Sequence, residues 1–195
     1  MKLIIASSNN GKLREYSQLL SPLGYEVVSA KDAGIDVDVE ETGTTFAENS
    51  ALKARAIYDL CHECVLADDS GLCVDALDGA PGVYSARFGG MTTDEDRITL
   101  LLDKLKDVPD EKRSAHFMCT IHFIYADGRE IAVEGRVDGK IAKSPYGDNG
   151  FGYDPVFLYN GASFASVDSD TKNKVSHRAN ALKALLYELD KGENK

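Results

Sequence analysis

The chain opens on an apolar run, Leu3 to Ala6, that gives way to the polar stretch Ser7 to Lys12, after which Leu13, Tyr16, Leu20 and Leu23 return at helical spacing. The pattern predicts a strand, a polar loop and a helix. Thr45-Phe46-Ala47-Glu48 spells a capping box, and Ala47, Ala51, Ala54 and Tyr58 make a stripe of small apolar residues along the helix it starts. Cys64 to Ala67 predicts a buried strand that stops where Asp68-Asp69-Ser70-Gly71 begins. Gly79 to Gly82 is a turn, and Thr93 with Asp94-Glu95-Asp96 caps a helix whose face is Ile98, Leu101, Leu102 and Leu105. From Ala115 to Tyr125 the chain alternates, with Phe117, Cys119, Ile121 and Phe123 on one side and His116, Met118, Thr120 and His122 on the other. Glu130 to Val137 is its hairpin partner. Gly147 to Pro155 is too rich in glycine for a helix and is expected to wrap a ligand or another backbone. A last helix begins after Ser176 with Leu182, Leu185, Leu186 and Leu189 on its face. These elements predict an α/β fold of three layers with a central mixed β-sheet. It is expected to form one domain over 1–195, in two lobes around a groove with no independent linker.

Composition narrows the function. Thirty-two Asp and Glu against 22 Lys and Arg give a net charge of −10. A broad nucleic-acid-binding face is therefore not expected, and a polyanionic ligand must overcome long-range repulsion or bring a metal ion. No apolar run approaches the roughly 20 residues of a membrane span, and the N-terminal run is too short for a signal-peptide core, so a cytoplasmic protein is expected. Its four cysteines are then expected to be free thiols.

The loop Ser7-Ser8-Asn9-Asn10-Gly11-Lys12 brings hydroxyls, backbone N–H groups and an ammonium to one place, which suits phosphate, although it is not a Walker A loop. Two acidic pairs, Glu40-Glu41 and Asp68-Asp69, offer oxygen ligands of the kind Mg²⁺ takes. In extended structure one member of each pair reaches the ion. The D-x-D-x-T of a haloacid-dehalogenase-type phosphatase is missing around Asp68. Ser176-His177-Arg178 sits at a helix start with Lys172 and Lys174 upstream, where their charge opposes the macrodipole, and reads as an anion or carbonyl recognition point. Cys61-His62-Glu63-Cys64 has no second pair to complete a zinc site.

Taken in order, these motifs resemble the inosine triphosphate pyrophosphatase family. The resemblance runs from about Leu3 to Leu189, through Ser7 to Lys12, Glu40 to Phe46 with Glu48-Asn49, Asp68 to Leu72, Gly79 to Arg87, Phe151 to Pro155, Lys172-Asn173 and Ser176 to Arg178. Ser7 and Ser8 replace the family's usual Thr and Gly, and Ser166 stands where Glu is frequent. The resemblance implies an Mg²⁺-dependent hydrolase that cuts non-standard purine nucleoside triphosphates (ITP, dITP, XTP) between the α and β phosphates, and a homodimer. It makes the expected groove nucleotide-binding. It implies Asp69 as the catalytic carboxylate and, with Glu40 or Glu41, as metal ligand. Lys12, Lys53 and Lys172 then face the triphosphate, aided by Ser7, Asn9 and Ser70. Phe151, Gly152, Tyr153 and Asp154 shape the base pocket, with His177 and Arg178 donating to the purine 6-oxygen. Two other readings are a pyrophosphatase of the septum-inhibitor type, acting on modified pyrimidine or methylated nucleotides, and a catalytically silent nucleotide-binding regulator.

Overall fold

The structure, a computed structural model, describes residues 2–193. Seven strands are present: β1 (Lys2–Ile5), β2 (Glu26–Ser29), β3 (Val65–Val74), β4 (Ser114–Ile124), β5 (Glu130–Ile141), β6 (Phe157–Tyr159) and β7 (Ala162–Ser163). They form one sheet in the order β2-β1-β3-β4-β5-β6-β7. β1 lies parallel to β2 and β3, whereas β6 is antiparallel to β5 and β7, so the sheet is mixed as expected. Parallel neighbours need crossovers, supplied by α1 (Asn10–Leu20) and α2 (Phe46–Cys61). The remaining helices are α3 (Asp94–Lys104), α4 (Ser169–Val175) and α5 (His177–Glu193). None among the described residues is long and apolar enough to cross a membrane.

The chain divides into two compact units. The first takes the chain up to Asp69, Cys119–Gly135 and the chain from Arg178 on, and the second takes Ser70–Met118 and Arg136–His177. Within the first, side chains of successive strand residues part to opposite faces. Leu3, Ile5 and Leu66 pack with Tyr16 and Leu20 of α1 and Leu182 and Leu185 of α5. Ile4, Ala6, Val65 and Ala67 pack instead with Ala54 and Ile57 of α2. The sheet here is covered on both sides, which is why β1 and the start of β3 are continuously apolar. The second unit closes over Leu72, Val74, Ile98, Leu101, Phe117, Val137, Val156, Phe157 and Phe164. Arg113 is buried in it and donates to the carbonyl oxygens of Leu105, Val108, Ile141 and Ala142, which ties the end of α3 to β5.

Local chemistry explains the helix starts. Thr45 accepts from the Glu48 N–H while Glu48 accepts from the Thr45 N–H, and Thr93 accepts from Asp96. Three expectations need correction, and one strand had no expectation at all. β3 does not stop at Ala67 but runs on to Val74, because Asp68 and Asp69 find charged partners inside the fold. α2 buries Asn49, Ser50, Ala54 and Ile57, so its inner face is rotated from the expected small stripe; Asn49 and Ser50 can go inside because both hydrogen-bond there. Lys172 and Lys174 belong to α4, in whose last turn cations complement the helix dipole rather than oppose it. β2, an edge strand of four residues, was not expected. All four cysteines are free thiols.

Candidate active site

Between β1 and α1 the loop is pinned by its own side chains. Ser7 Oγ accepts from the Asn9 N–H at 3.2 Å, and Asn9 Oδ1 caps α1 by accepting from the Lys12 N–H at 3.1 Å. These bonds use the oxygens and leave the Ser7 hydroxyl proton and the Asn9 amide protons as donors. Ser8 is exposed, and Asn10 and Gly11 open the helix. Lys12 turns inward, its Nζ 3.0 Å from Asp68 Oδ2 and 3.4 Å from the Asp68 carbonyl oxygen.

The adjacent carboxylates of β3 face opposite ways. Asp68 shares the face of Leu66, towards α1 and α5, where its Oδ2 also accepts from Arg178 Nη2 at 3.2 Å and meets the Cys119 thiol at 3.7 Å. Burial works against that carboxylate's charge, but Lys12, Arg178 and Lys53 together hold it far below the usual carboxylate range. Asp69 shares the face of Ala67, towards α2, where Asn49 and Lys53 lie one turn apart on the same helix face. Asn49 Nδ2 donates to Asp69 Oδ2 at 3.2 Å, and Lys53 Nζ lies 3.4 Å from Asp69 Oδ1 and 2.7 Å from Glu41 Oε1. Burial raises the proton affinity of Asp69, Glu41 adds to this, and Lys53, Lys12 and Asn49 oppose it. Burial alone would depress Lys53, yet Asp69, Asp68 and Glu41 raise it above its ordinary value, so it is a full cation.

Two carboxylates from separate segments thus converge on one positive charge. Glu40 is exposed, and its backbone oxygen accepts from the Thr42 N–H at 3.1 Å. Among the described residues no group of three or more His, Cys, Asp or Glu forms a metal cage. The donor set at Glu41 and Asp69 suits a hard divalent cation that completes its shell with water and phosphate oxygens.

Arg178 was expected to meet a purine. Its side chain is instead 1% exposed, with Nη1 on Glu15 of α1 and Nη2 on Asp68. Glu15 was missed in the sequence; the signal was a carboxylate beside Tyr16 on a face otherwise apolar. Asn49 had been placed in a motif without a role. Of the groups named in this cluster, four are carboxylates (Glu15, Glu41, Asp68, Asp69) and three are cations (Lys12, Lys53, Arg178). It cannot take a polyanion without a further positive charge.

In the second unit the glycine-rich stretch is a loop, and Gly147 lies against the Ala165 backbone, one of the two uses its composition suggested. Asp154 organises it by accepting from the Phe151 N–H at 3.0 Å and from Lys172 Nζ at 2.6 Å. The Lys172 ammonium also lies 4.8 Å from the centre of the Phe151 ring, so it supports the aromatic loop rather than standing ready for a triphosphate. Asp94, another residue the sequence reading gave no role here, accepts from the Gly152 N–H at 2.7 Å. Tyr153 donates to the Ser85 carbonyl at 2.9 Å. His177 is stacked on Phe117 with ring centres 4.6 Å apart, and Ser70 is half-buried in β3.

The mixed-sheet fold and the charged cluster define an α/β protein whose first unit gathers carboxylates and cations around β3. The chain belongs to the Ham1 family, whose model matches residues 3–188. It is 45% identical over 190 residues to the dITP/XTP pyrophosphatase of Bacillus subtilis, covering 96% of each chain, and 47% identical over 192 residues to that of Bacillus licheniformis, covering 97% of this chain and 98% of the other. It is structurally similar to the Staphylococcus aureus Ham1 protein, with a TM-score of 0.86, 39% identity, and coverage of 98% of this chain and 100% of that one. The relationship expected from the ordered motifs therefore holds.

Proposed function

We propose that the protein is a nucleoside triphosphate pyrophosphatase acting on non-standard purine nucleotides, dITP, ITP and XTP, and releasing the monophosphate and pyrophosphate. The observation that carries this reading is the convergence of Glu41 and Asp69 on one cation in the same unit as Lys12, in a chain closely related to dITP/XTP pyrophosphatases. Glu41 and Asp69 would hold Mg²⁺, which when bound would supply charge neutralisation at the phosphates and acidify a bound water. Asp69 takes a proton from the attacking water, and Asn49 fixes the carboxylate's orientation. Lys12 and Lys53 balance charge that develops on the phosphoryl oxygens, and Ser7 and Asn9 donate their remaining protons. Phe151 stacks on the base, with Asp154 and Lys172 keeping its ring in place. His177 is the candidate donor to the purine 6-oxygen, a contact that leaves a donor unpaired against adenine. A homodimer and a cytoplasmic location accompany this reading through the family.

The test is pyrophosphate release with Mg²⁺ from ITP, XTP, dITP, GTP, ATP and modified pyrimidine triphosphates, with Asp69→Asn alongside. Preference for ITP, dITP and XTP that the substitution abolishes is expected. A pyrimidine preference would place the protein with the septum-inhibitor type, and binding without turnover would make it a regulator.

A further inference from the structure

Asp68 has no part in the chemistry above. Its side chain is fully buried, beyond reach of substrate and solvent ions. A carboxylate costs a great deal in such a place unless its partners make it useful or stable. The partners here are unevenly distributed. Oδ2 receives Lys12 Nζ at 3.0 Å, Arg178 Nη2 at 3.2 Å and the Cys119 thiol at 3.7 Å, while Oδ1 is without a hydrogen-bond partner among the described residues. The Asp68 carbonyl oxygen, at 3.4 Å, holds the Lys12 ammonium a second time, from a strand that cannot shift without breaking the sheet.

We propose that Asp68 is a positioning residue for Lys12: it fixes a flexible ammonium on a rigid strand, so that the cation stands preorganised for the triphosphate. The inference rests on the pyrophosphatase reading and deepens it. A lysine stem has four rotatable bonds, and a transition-state charge is stabilised best by a cation that need not be gathered first. Arg178 completes the device. Because Asp68 Oδ2 is shared with a guanidinium, Lys12 is anchored without its charge being the only one set against that anion. Glu15 in turn holds Arg178, so one line of alternating charges runs from α5 to the phosphate loop.

A double-mutant cycle separates positioning from bulk stability. Lys12→Met is expected to lower kcat/KM for ITP by about 100-fold, the scale of losing one preorganised charge donor. Asp68→Asn is expected to lower it by ~10-fold or more, through kcat rather than KM. The double variant should be no worse than Lys12→Met alone, because both changes remove one interaction. Effects that multiply would overturn the proposal. Should Asp68→Asn fail to fold, the wild-type protein still decides. The ¹H–¹⁵N signal of the Lys12 ammonium, assigned by its loss in Lys12→Met, is expected to be visible and protected from exchange without substrate; an ammonium that exchanges like those of surface lysines overturns it. Wild-type protein that releases no pyrophosphate would count against the functional reading alone, since the ammonium signal does not depend on turnover.

Discussion

Replacing Arg178 by Met tests whether that guanidinium is a structural tie or an exposed recognition group. Its side chain is 1% exposed and joins Glu15, 10% exposed, to Asp68, which is fully buried. Removing one partner of such a buried ionic group costs roughly 3–5 kcal/mol, because the carboxylates stay behind in surroundings that cannot solvate them. For a chain of this length each kcal/mol moves the melting temperature by about 2–4 °C. The expected fall in Tm is therefore about 10 °C, measured by calorimetry at pH 7. Adding Glu15→Gln to Arg178→Met removes one of the stranded charges and is expected to restore part of the loss. A fall of less than about 3 °C would refute the reasoning, since it would mean that solvent or ligand, not the fold, satisfies this guanidinium.

Glu41→Gln is expected to raise the Mg²⁺ concentration for half-maximal turnover at least about tenfold, and Glu40→Gln to leave it within about threefold; activity titrated with Mg²⁺ checks both. Gly150 has φ +77, and a Cβ there would stand 2.0 Å from Asp154 Oδ2, whereas Gly152, φ +62, has open space around it. Gly150→Ala is therefore expected to lower Tm by more than Gly152→Ala, which bears only the left-handed backbone cost of about 1–2 kcal/mol, and to raise KM by loosening the Phe151 loop. Arg55 and His122 hold the Glu130 carboxyl down at about 2 despite some burial. A depressed carboxylate stabilises the fold above its unfolded value and loses that contribution as pH falls towards 2. The stability that Glu130 contributes over Glu130→Gln, about 1 kcal/mol after screening and read as a difference in Tm, should shrink as pH falls below about 4.5.

Where the sequence was legible, the cause was local. The capping box at Thr45, the Thr93 cap and the alternation of β4 each depend on residues within a few positions, so their chemistry can be read directly from the chain. The continuation of β3 could not be read this way. Asp68 is stabilised by Lys12 and Arg178, 56 and 110 residues away, and until those partners are known an acidic pair looks like the end of a strand. The partners of Arg178 and Lys172 were hidden for the same reason: each cation reads as available in the sequence, and in the fold each is held by a carboxylate remote along the chain. The division of labour between Asp68 and Asp69 was legible in principle, since strand alternation sends neighbours to opposite faces. Which face held the helix with Lys53 was not.

The first unit takes its last segment from Arg178 onward, whereas the second is complete at His177. A nascent chain leaving the ribosome at ~5–20 residues per second therefore exposes β1, α1 and β3 for several seconds before α5 arrives. Throughout that interval Glu15 and Asp68 lack their guanidinium, and Leu66 and Phe123 lack Leu182 and Leu185. The order of synthesis makes the line from Glu15 through Arg178 to Asp68 the last set of contacts in the first unit to form, so a translation product interrupted before α5 carries two buried carboxylates without the guanidinium that joins them.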